Sequence, residues 1–388
     1  MKTIFDLPGE LLEDEIFSRV PMTSLRSVRS TCRKWNSLCK NRILFGKAAA
    51  AKKQFMMMDS RICLMNLDLP KDDGDPSIKQ VSLLDQIEIS KVFQCNGLLL
   101  CVLKDCSRLL VWNPYLAQTR WIEPRISFQS SDRFAVGHHD NNLNHKILRI
   151  SDEIHPVTSK HVLGFELYDF SSGSWKVLDV TPHWEIWSHL RGVSLKGNAY
   201  FPAQKKIIEA GTKIRRVAGF FLCFDFTTES FGPLLPLPFQ SQHGGVFTSL
   251  SCVREDQLAV LYQHWEAQET VEISVTDKIG PNVVSWTKFL KLVTSFCLHP
   301  YSGSFFIDEE KKIAVVFVLE RAKACRYQTA HVIGQDGYFK SVRIREAPDL
   351  GNTFHHHERY CAPLVCSSYR PCLVQLQIKQ PTVLMERM

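Results

Sequence analysis

One unit is written five times into this 388-residue chain: an apolar strand, a polar turn, then a strand opening on an aromatic residue. Its first copy is Leu110-Val111-Trp112-Asn113-Pro114 with Thr119-Arg120-Trp121-Ile122. The second is Glu166-Leu167-Tyr168-Asp169-Phe170 with Ser174-Trp175-Lys176-Val177, and the third is Leu222-Cys223-Phe224-Asp225-Phe226 with Ser230-Phe231-Gly232-Pro233. Ile273-Ser274-Val275 with Ser285-Trp286-Thr287-Lys288 is the fourth, and His331-Val332-Ile333 with Gly337-Tyr338-Phe339 a weaker fifth. The marker aromatics Trp121, Trp175, Phe231, Trp286 and Tyr338 follow one another at steps of 54, 56, 55 and 52 residues.

A period near 50 with about four short strands per unit is the pattern of kelch-like propeller blades. Further strand pairs precede the units, among them Gly97-Leu98-Leu99-Leu100, Val193 to Tyr200, Asp256 to Leu261 and Phe305 to Val315, and supply the inner strands. Dividing the residues after 54 by the step gives about six blades. Stacking four-stranded sheets in a ring buries both faces of each, and closing the ring protects the edges. Closure requires chain ends that complete one another: Phe55-Met56-Met57-Met58 or Ile62-Cys63-Leu64-Met65 is expected beside Leu373-Val374-Gln375-Leu376. A pair of β-sandwiches would use similar strands and turns, but the near-constant period favours the propeller.

Residues 1–54 follow another period. Pro8 suits a first helical turn, where its missing N–H has no helical partner. Glu10, Glu13, Asp14 and Glu15 cluster near that N-terminus, as the helix dipole favours. Leu12, Ile16, Phe17 and Val20 form one apolar stripe, and Val20-Pro21 ends the helix. Ser24, Leu25 and Val28 begin a second helix. Ser30 or Thr31 caps a third, with Cys32, Trp35, Leu38 and Cys39 on one face. Ile43 to Gln54 contains four consecutive alanines and reads as a helical linker. Three short helices are too few to bury a core alone, so the segment requires a partner.

Charge is concentrated in the same place. Residues 1–54 hold eleven Lys+Arg and five Asp+Glu, which is +6 of the chain's net +7. From Arg19 to Lys53 every charge is basic, so nucleic acid enters as one candidate partner and an acidic protein surface as another. The remainder is close to neutral, which argues against a large nucleic-acid footprint. No apolar run is long enough to span a membrane, and no signal-peptide core precedes Asp6. Thirteen cysteines lie scattered without a CxxC pair, several inside apolar runs, as in a reduced, soluble intracellular protein of the nucleus or cytoplasm.

Chemistry-bearing motifs are sparse. His355-His356-His357 with Cys361 and Cys366 nearby suggests a metal, but adjacent strand residues alternate sides, so an exposed loop is the expectation. No GxxxxGK[ST], HExxH or GxSxG occurs, and no catalytic residue, cofactor site or metal site is assigned. Two aromatic-dense stretches fit a target-binding surface instead. One supplies His183, Trp184, Trp187, His189 and Arg191; the other, Tyr262 to Glu266, supplies His264 and Trp265. Trp, Tyr and Arg are enriched at interface hot spots, although core packing accounts equally well for either stretch.

Leu7-Pro8, Leu11-Leu12, Ile16-Phe17, the Val20-Pro21 break, Ser24-Leu25 and Cys32-Arg33-Lys34-Trp35-Asn36 together resemble an F-box. Cys95-Asn96-Gly97-Leu98-Leu99-Leu100-Cys101, Val111-Trp112-Asn113-Pro114, Gly192-Val193-Ser194-Leu195-Lys196-Gly197-Asn198, Leu235-Pro236-Leu237-Pro238-Phe239 and Phe305 to Lys312 resemble the plant F-box-associated interaction domain of type 1. The resemblance implies an F-box over residues 1–42, a linker over 43–54 and a propeller-like interaction domain over 55–388. It implies a non-catalytic substrate receptor of a Skp1–cullin–F-box ubiquitin ligase, joined through Skp1 to cullin and RING subunits, with an unidentified protein target. The expected adaptor contacts are Leu7, Pro8, Leu11, Leu12, Ile16, Phe17, Leu25, Val28, Cys32 and Trp35. A propeller enzyme and a basic nucleic-acid-binding regulator are the competing readings.

Overall fold

The computed structural model describes residues 30–31, 33, 54–65, 78–79, 84, 87–116, 118–139, 144–154, 161–186, 191–208, 215–239, 246–264, 270–294, 296, 298, 304–322, 325–349, 362–366, 369, 372 and 374–376. In the N-terminal segment, Ser30, Thr31 and Arg33 are helical and exposed. The ten expected adaptor contacts, Leu7 to Trp35, lie outside the described residues, as do His355, His356, His357 and Cys361.

The described remainder is a ring of six four-stranded antiparallel sheets. Blade one joins β1 (Gln54–Met58), β2 (Arg61–Met65) and β3 (Ile78–Lys79) to the last strand, β24 (Leu364–Cys366). Blade two is β4 (Ile89–Cys95), β5 (Leu98–Leu103), β6 (Leu109–Asn113) and β7 (Gln118–Ile122). Blade three is β8 (Arg133–His138), β9 (His145–Ile154), β10 (His161–Asp169) and β11 (Ser174–Val177). Blade four is β12 (Val193–Leu195), β13 (Asn198–Ile208), β14 (Arg215–Asp225) and β15 (Ser230–Phe231). Blade five is β16 (Val246–Val253), β17 (Gln257–His264), β18 (Thr270–Gly280) and β19 (Val283–Val293). Blade six is β20 (Ser304–Asp308), β21 (Ile313–Ala322), β22 (Cys325–Gly334) and β23 (Phe339–Glu346). The inner strands β24, β4, β8, β12, β16 and β20 neighbour one another round the axis.

Local chemistry explains the repeat. The polar turn of the unit is an Asx turn at the end of each third strand in blades two to four. Asn113 Oδ1 accepts from the N–H groups of Tyr115 (3.0 Å) and Leu116 (3.1 Å). Asp169 Oδ1 accepts from Ser171 (2.7 Å) and Ser172 (3.3 Å), and Asp225 Oδ1 from Thr227 (2.7 Å) and Thr228 (3.3 Å). Four markers then fall on outermost strands, and Tyr338 immediately precedes β23. Two marker indoles secure the connection leaving the previous blade: Trp175 Nε1 donates to Glu123 O (2.8 Å) and Trp286 Nε1 to Pro236 O (2.9 Å). Two of the five markers thus tie successive blades at the same place in the repeat.

Apolar clusters fill all six interfaces between adjacent blades. Strand β5 serves two of them by alternation. Leu98, Leu100 and Val102 face blade three, while Leu99, Cys101 and Leu103 face blade one. A strand buried on both faces reads as a continuous apolar run, which is why Leu98-Leu99-Leu100-Cys101-Val102-Leu103 carries no polar position. Nine cysteines among the described residues are free thiols, several of them core residues.

Two expectations are corrected. Gln54, assigned to the end of the linker helix, is the first residue of β1 and pairs with Met65. Ring closure does begin with Phe55–Met58, but its partner is β24, with Phe55 opposite Cys366, Met56 opposite Val365 and Met57 opposite Leu364. Val374 and Leu376 serve the adjoining blade: Asn113 Nδ2 donates to Val374 O (2.9 Å), and Leu376 joins the core between blades two and three.

Blade six contains a buried histidine. His331 on β22 stacks against Phe296 at 4.1 Å, its Nδ1 meets Ser341 Oγ at 2.7 Å, and its Nε2 lies 3.2 Å from Glu320 Oε1. Burial holds the imidazole below its ordinary pKa, against the opposing pull of Glu320. The unfolded chain therefore takes up this proton at a higher pH than the native chain does. Its contribution is complete above an unfolded pKa of about 6.5 and declines as pH falls through that value toward the native pKa. Thermal melts from pH 7.5 to 5 are expected to show a smaller acid-induced loss for His331→Gln than for the parent. Parallel curves would exclude His331 as the source.

Candidate functional site

Between blades four and five lies an open groove of about 640 Å³. One wall is the segment that leaves β15. Phe221 and Leu235 exchange two backbone hydrogen bonds of 2.8 Å, which fix its course. Gly232 allows it to pass the β18–β19 turn, because a Cβ there would stand 2.6 Å from the Pro281 carbonyl oxygen. The segment then presents Pro236, Pro238 and Phe239 to blade five. Trp286 packs edge-on against Phe221 at 5.6 Å, and the Phe239 ring lies 4.4 Å from Tyr262 and 6.0 Å from His264.

The floor is a row of polar side chains across three strands. In register, Tyr262 on β17 stands opposite Glu272 on β18, and Glu272 opposite Lys291 on β19. Glu272 accepts from Tyr262 Oη (3.0 Å), Lys288 Nζ (2.9 Å) and Lys291 Nζ (3.1 Å). In a regular strand, residues 288 and 291 would face opposite sides. Here the register shifts so that Ile273 opposes Leu290 while Ser274 opposes Lys288. Phe289 is the extra residue, and the bulge brings both lysines to one face. Burial raises the Glu272 pKa, but the bonds from Lys288, Lys291 and Tyr262 outweigh it and hold the carboxyl below its usual range. Burial, reinforced by Glu272, pushes Tyr262 up to about 12.

Of the four described residues among the seven sequence-derived target-surface candidates, the groove contains His264 alone. His183 is exposed elsewhere, before β12. Trp184 is a core residue, 6% exposed, packed on Phe165 and Phe231 at 6.0 and 4.8 Å. Trp187, His189 and Trp265 lie outside the described residues. Arg191 reaches across the ring axis to blade two, where it donates to Val92 O and covers the Phe93 ring at 5.3 Å. It also meets the Cys366 thiol of blade one, whose pKa burial raises and Arg191 partly lowers. Arg191 is thus a tie between inner strands. Phe239, Glu272, Lys288 and Lys291 escaped the sequence reading. Strand alternation could have flagged Glu272 beneath Tyr262, but the bulge that recruits Lys288 leaves no sequence signal.

The chain matches the family models for the F-box associated beta propeller domain over residues 53–376 and for the F-box-like domain over residues 4–47. It is similar to an F-box/kelch-repeat protein of Arabidopsis thaliana, 60% identical over 394 residues and covering 98% of both chains. An F-box protein of the same plant is 49% identical over 399 residues, covering 97% of this chain and 100% of the relative. Among solved structures, one from a nidogen/laminin complex aligns at 10% identity and a TM-score of 0.41, covering 82% of this chain and 99% of that one. With a family match over more than half its length and near full-length relatives at such identity, the chain belongs to the F-box proteins that carry an F-box associated beta propeller domain.

Proposed function

We propose that this protein is the substrate-recognition subunit of a Skp1–cullin–F-box ubiquitin ligase. The carrying observation is one chain that joins an F-box-like segment at residues 4–47 to a closed six-bladed ring. On this reading residues 1–42 bind the Skp1-type adaptor through Leu7, Pro8, Leu11, Leu12, Ile16, Phe17, Leu25, Val28, Cys32 and Trp35. Residues 43–53 form the connection, and the propeller presents a protein target to the ubiquitin-transfer machinery in the nucleus or cytoplasm. The receptor itself performs no chemistry; cullin and RING subunits, reached through the adaptor, position the transfer. Among the described residues no helix is long and apolar enough to cross a membrane.

The test is co-purification of the full chain with a Skp1-type adaptor, beside a chain lacking residues 1–53. The expected result is a stoichiometric complex with the first and none with the second. Equal recovery with both, or with neither, would overturn the reading.

A further inference from the structure

The groove between blades four and five joins two unlike surfaces. One is an apolar wall of Pro236, Pro238 and Phe239, with Trp286 and His264 beside it. The other is a charged floor lined by Glu272 and Lys288, at whose edge Lys291 shares the same carboxylate. That floor carries one net positive charge, and both lysine side chains remain more than half exposed. Each ammonium has three N–H donors, and among the described contacts each spends one on Glu272. The complementary ligand has a carboxylate next to an apolar group.

The shape favours a peptide over a small molecule. Small-molecule pockets enclose most of their ligand. Here Pro236, Ser285 and Lys288 are exposed, and Phe239, His264 and Trp286 are half-buried. Open, aromatic-lined surfaces with charged margins are the form that protein interfaces take, with aromatic side chains as anchors. Moreover, the wall is held before any ligand arrives. Trp286 Nε1 binds Pro236 O, and the paired bonds between Phe221 and Leu235 fix the segment. A preformed groove spares the ordering cost of binding.

We propose that this groove is the target-docking site and takes an extended acidic peptide, with an Asp or Glu on Lys288 and Lys291 and a neighbouring aromatic or proline residue against Phe239 and Pro238. The proposal rests on the reading of the chain as a target receptor. The probe is a random 12-residue peptide library selected against the full chain bound to its adaptor. The affinity of selected peptides is then measured by fluorescence polarisation.

The expected result is enrichment of Asp or Glu adjacent to an aromatic residue or proline. Those peptides should lose about tenfold or more in affinity on the Lys288→Gln/Lys291→Gln double variant and on Phe239→Ala, as loss of a hot spot does. Both variants should remain folded and still hold the adaptor, and affinity is compared at a temperature well below the melting point of either, since Glu272 loses its two lysine partners in one and Tyr262 loses a packing partner in the other. Enrichment of basic peptides, no enrichment, or selected peptides that bind folded variants unchanged would overturn the proposal. Failure of the receptor reading looks different: the parent chain would not hold the adaptor, whereas the same selection on the chain alone would still decide the groove.

Discussion

Replacing Arg149 by Met is expected to destabilise the propeller by about 3–5 kcal/mol, the cost of stranding buried ionic partners. Arg149 lies on β9, 2% exposed, and its guanidinium is saturated. Nε donates to Asp132 Oδ2 (2.8 Å) and Nη1 to Glu166 Oε2 (2.9 Å). The carbonyls of Ile126 (3.0 Å) and Ser127 (2.8 Å) accept two further bonds, and the Phe128 ring lies 4.9 Å away. One side chain thereby fixes the connection from blade two onto blade three. Asp132 is fully buried, and burial raises its pKa against the pull of the Gln129 N–H and of Arg149. Without Arg149 only the Gln129 N–H and the charge of Lys91 still oppose it. Urea titration of the full chain should show the lower midpoint. Arg149→Lys should fall between the two, since an ammonium keeps the charge but lacks the fork. A Met variant within about 0.5 kcal/mol of the parent, the range of an ordinary surface change, would refute the assignment.

The second large effect concerns the adaptor. On the proposed reading, Leu7→Ala and Trp35→Ala each weaken Skp1-type adaptor binding by about 2 kcal/mol or more, roughly 30-fold, as truncated hot-spot anchors do. A large apolar side chain that loses its partner surface forfeits both its burial and its packing. The two residues lie in different parts of the F-box motif, so the double variant should lose at least as much as either alone. Titration calorimetry with purified adaptor measures both, and the peptides selected on the propeller should bind each variant as they bind the parent. Undiminished adaptor affinity in Trp35→Ala and Leu7→Ala would remove the basis for the receptor assignment.

The ring was legible in the sequence because its period has a physical carrier. Trp175 and Trp286 each tie down the connection leaving the preceding blade, so two of the recurring aromatics are joints between blades. The closing strand was not legible. Leu364-Val365-Cys366 is three residues long, has no marker, and pairs with a strand from the other end of the chain. Aromatic density failed to distinguish surface from core: it singled out His264, which lines the groove, and equally Trp184, which packs on Phe165 and Phe231. Lys288 was hidden for a third reason. Its face depends on the extra residue Phe289, and a bulge reverses the parity on which strand reading relies.

The pairing of β1 with β24 also governs the order of events during synthesis. The F-box-like segment leaves the ribosome first, yet Met56 waits for Val365, so about 300 residues of translation at about 5–20 residues per second separate the two. Throughout that interval β1 lacks its inner neighbour and the blade it shares with β24 is incomplete. An adaptor that engaged the nascent N-terminus would hold a receptor whose platform is still open. Ring closure thus depends on β24, the last strand among the described residues: a chain broken off before Leu364 retains the F-box-like segment but lacks the strand that pairs with β1.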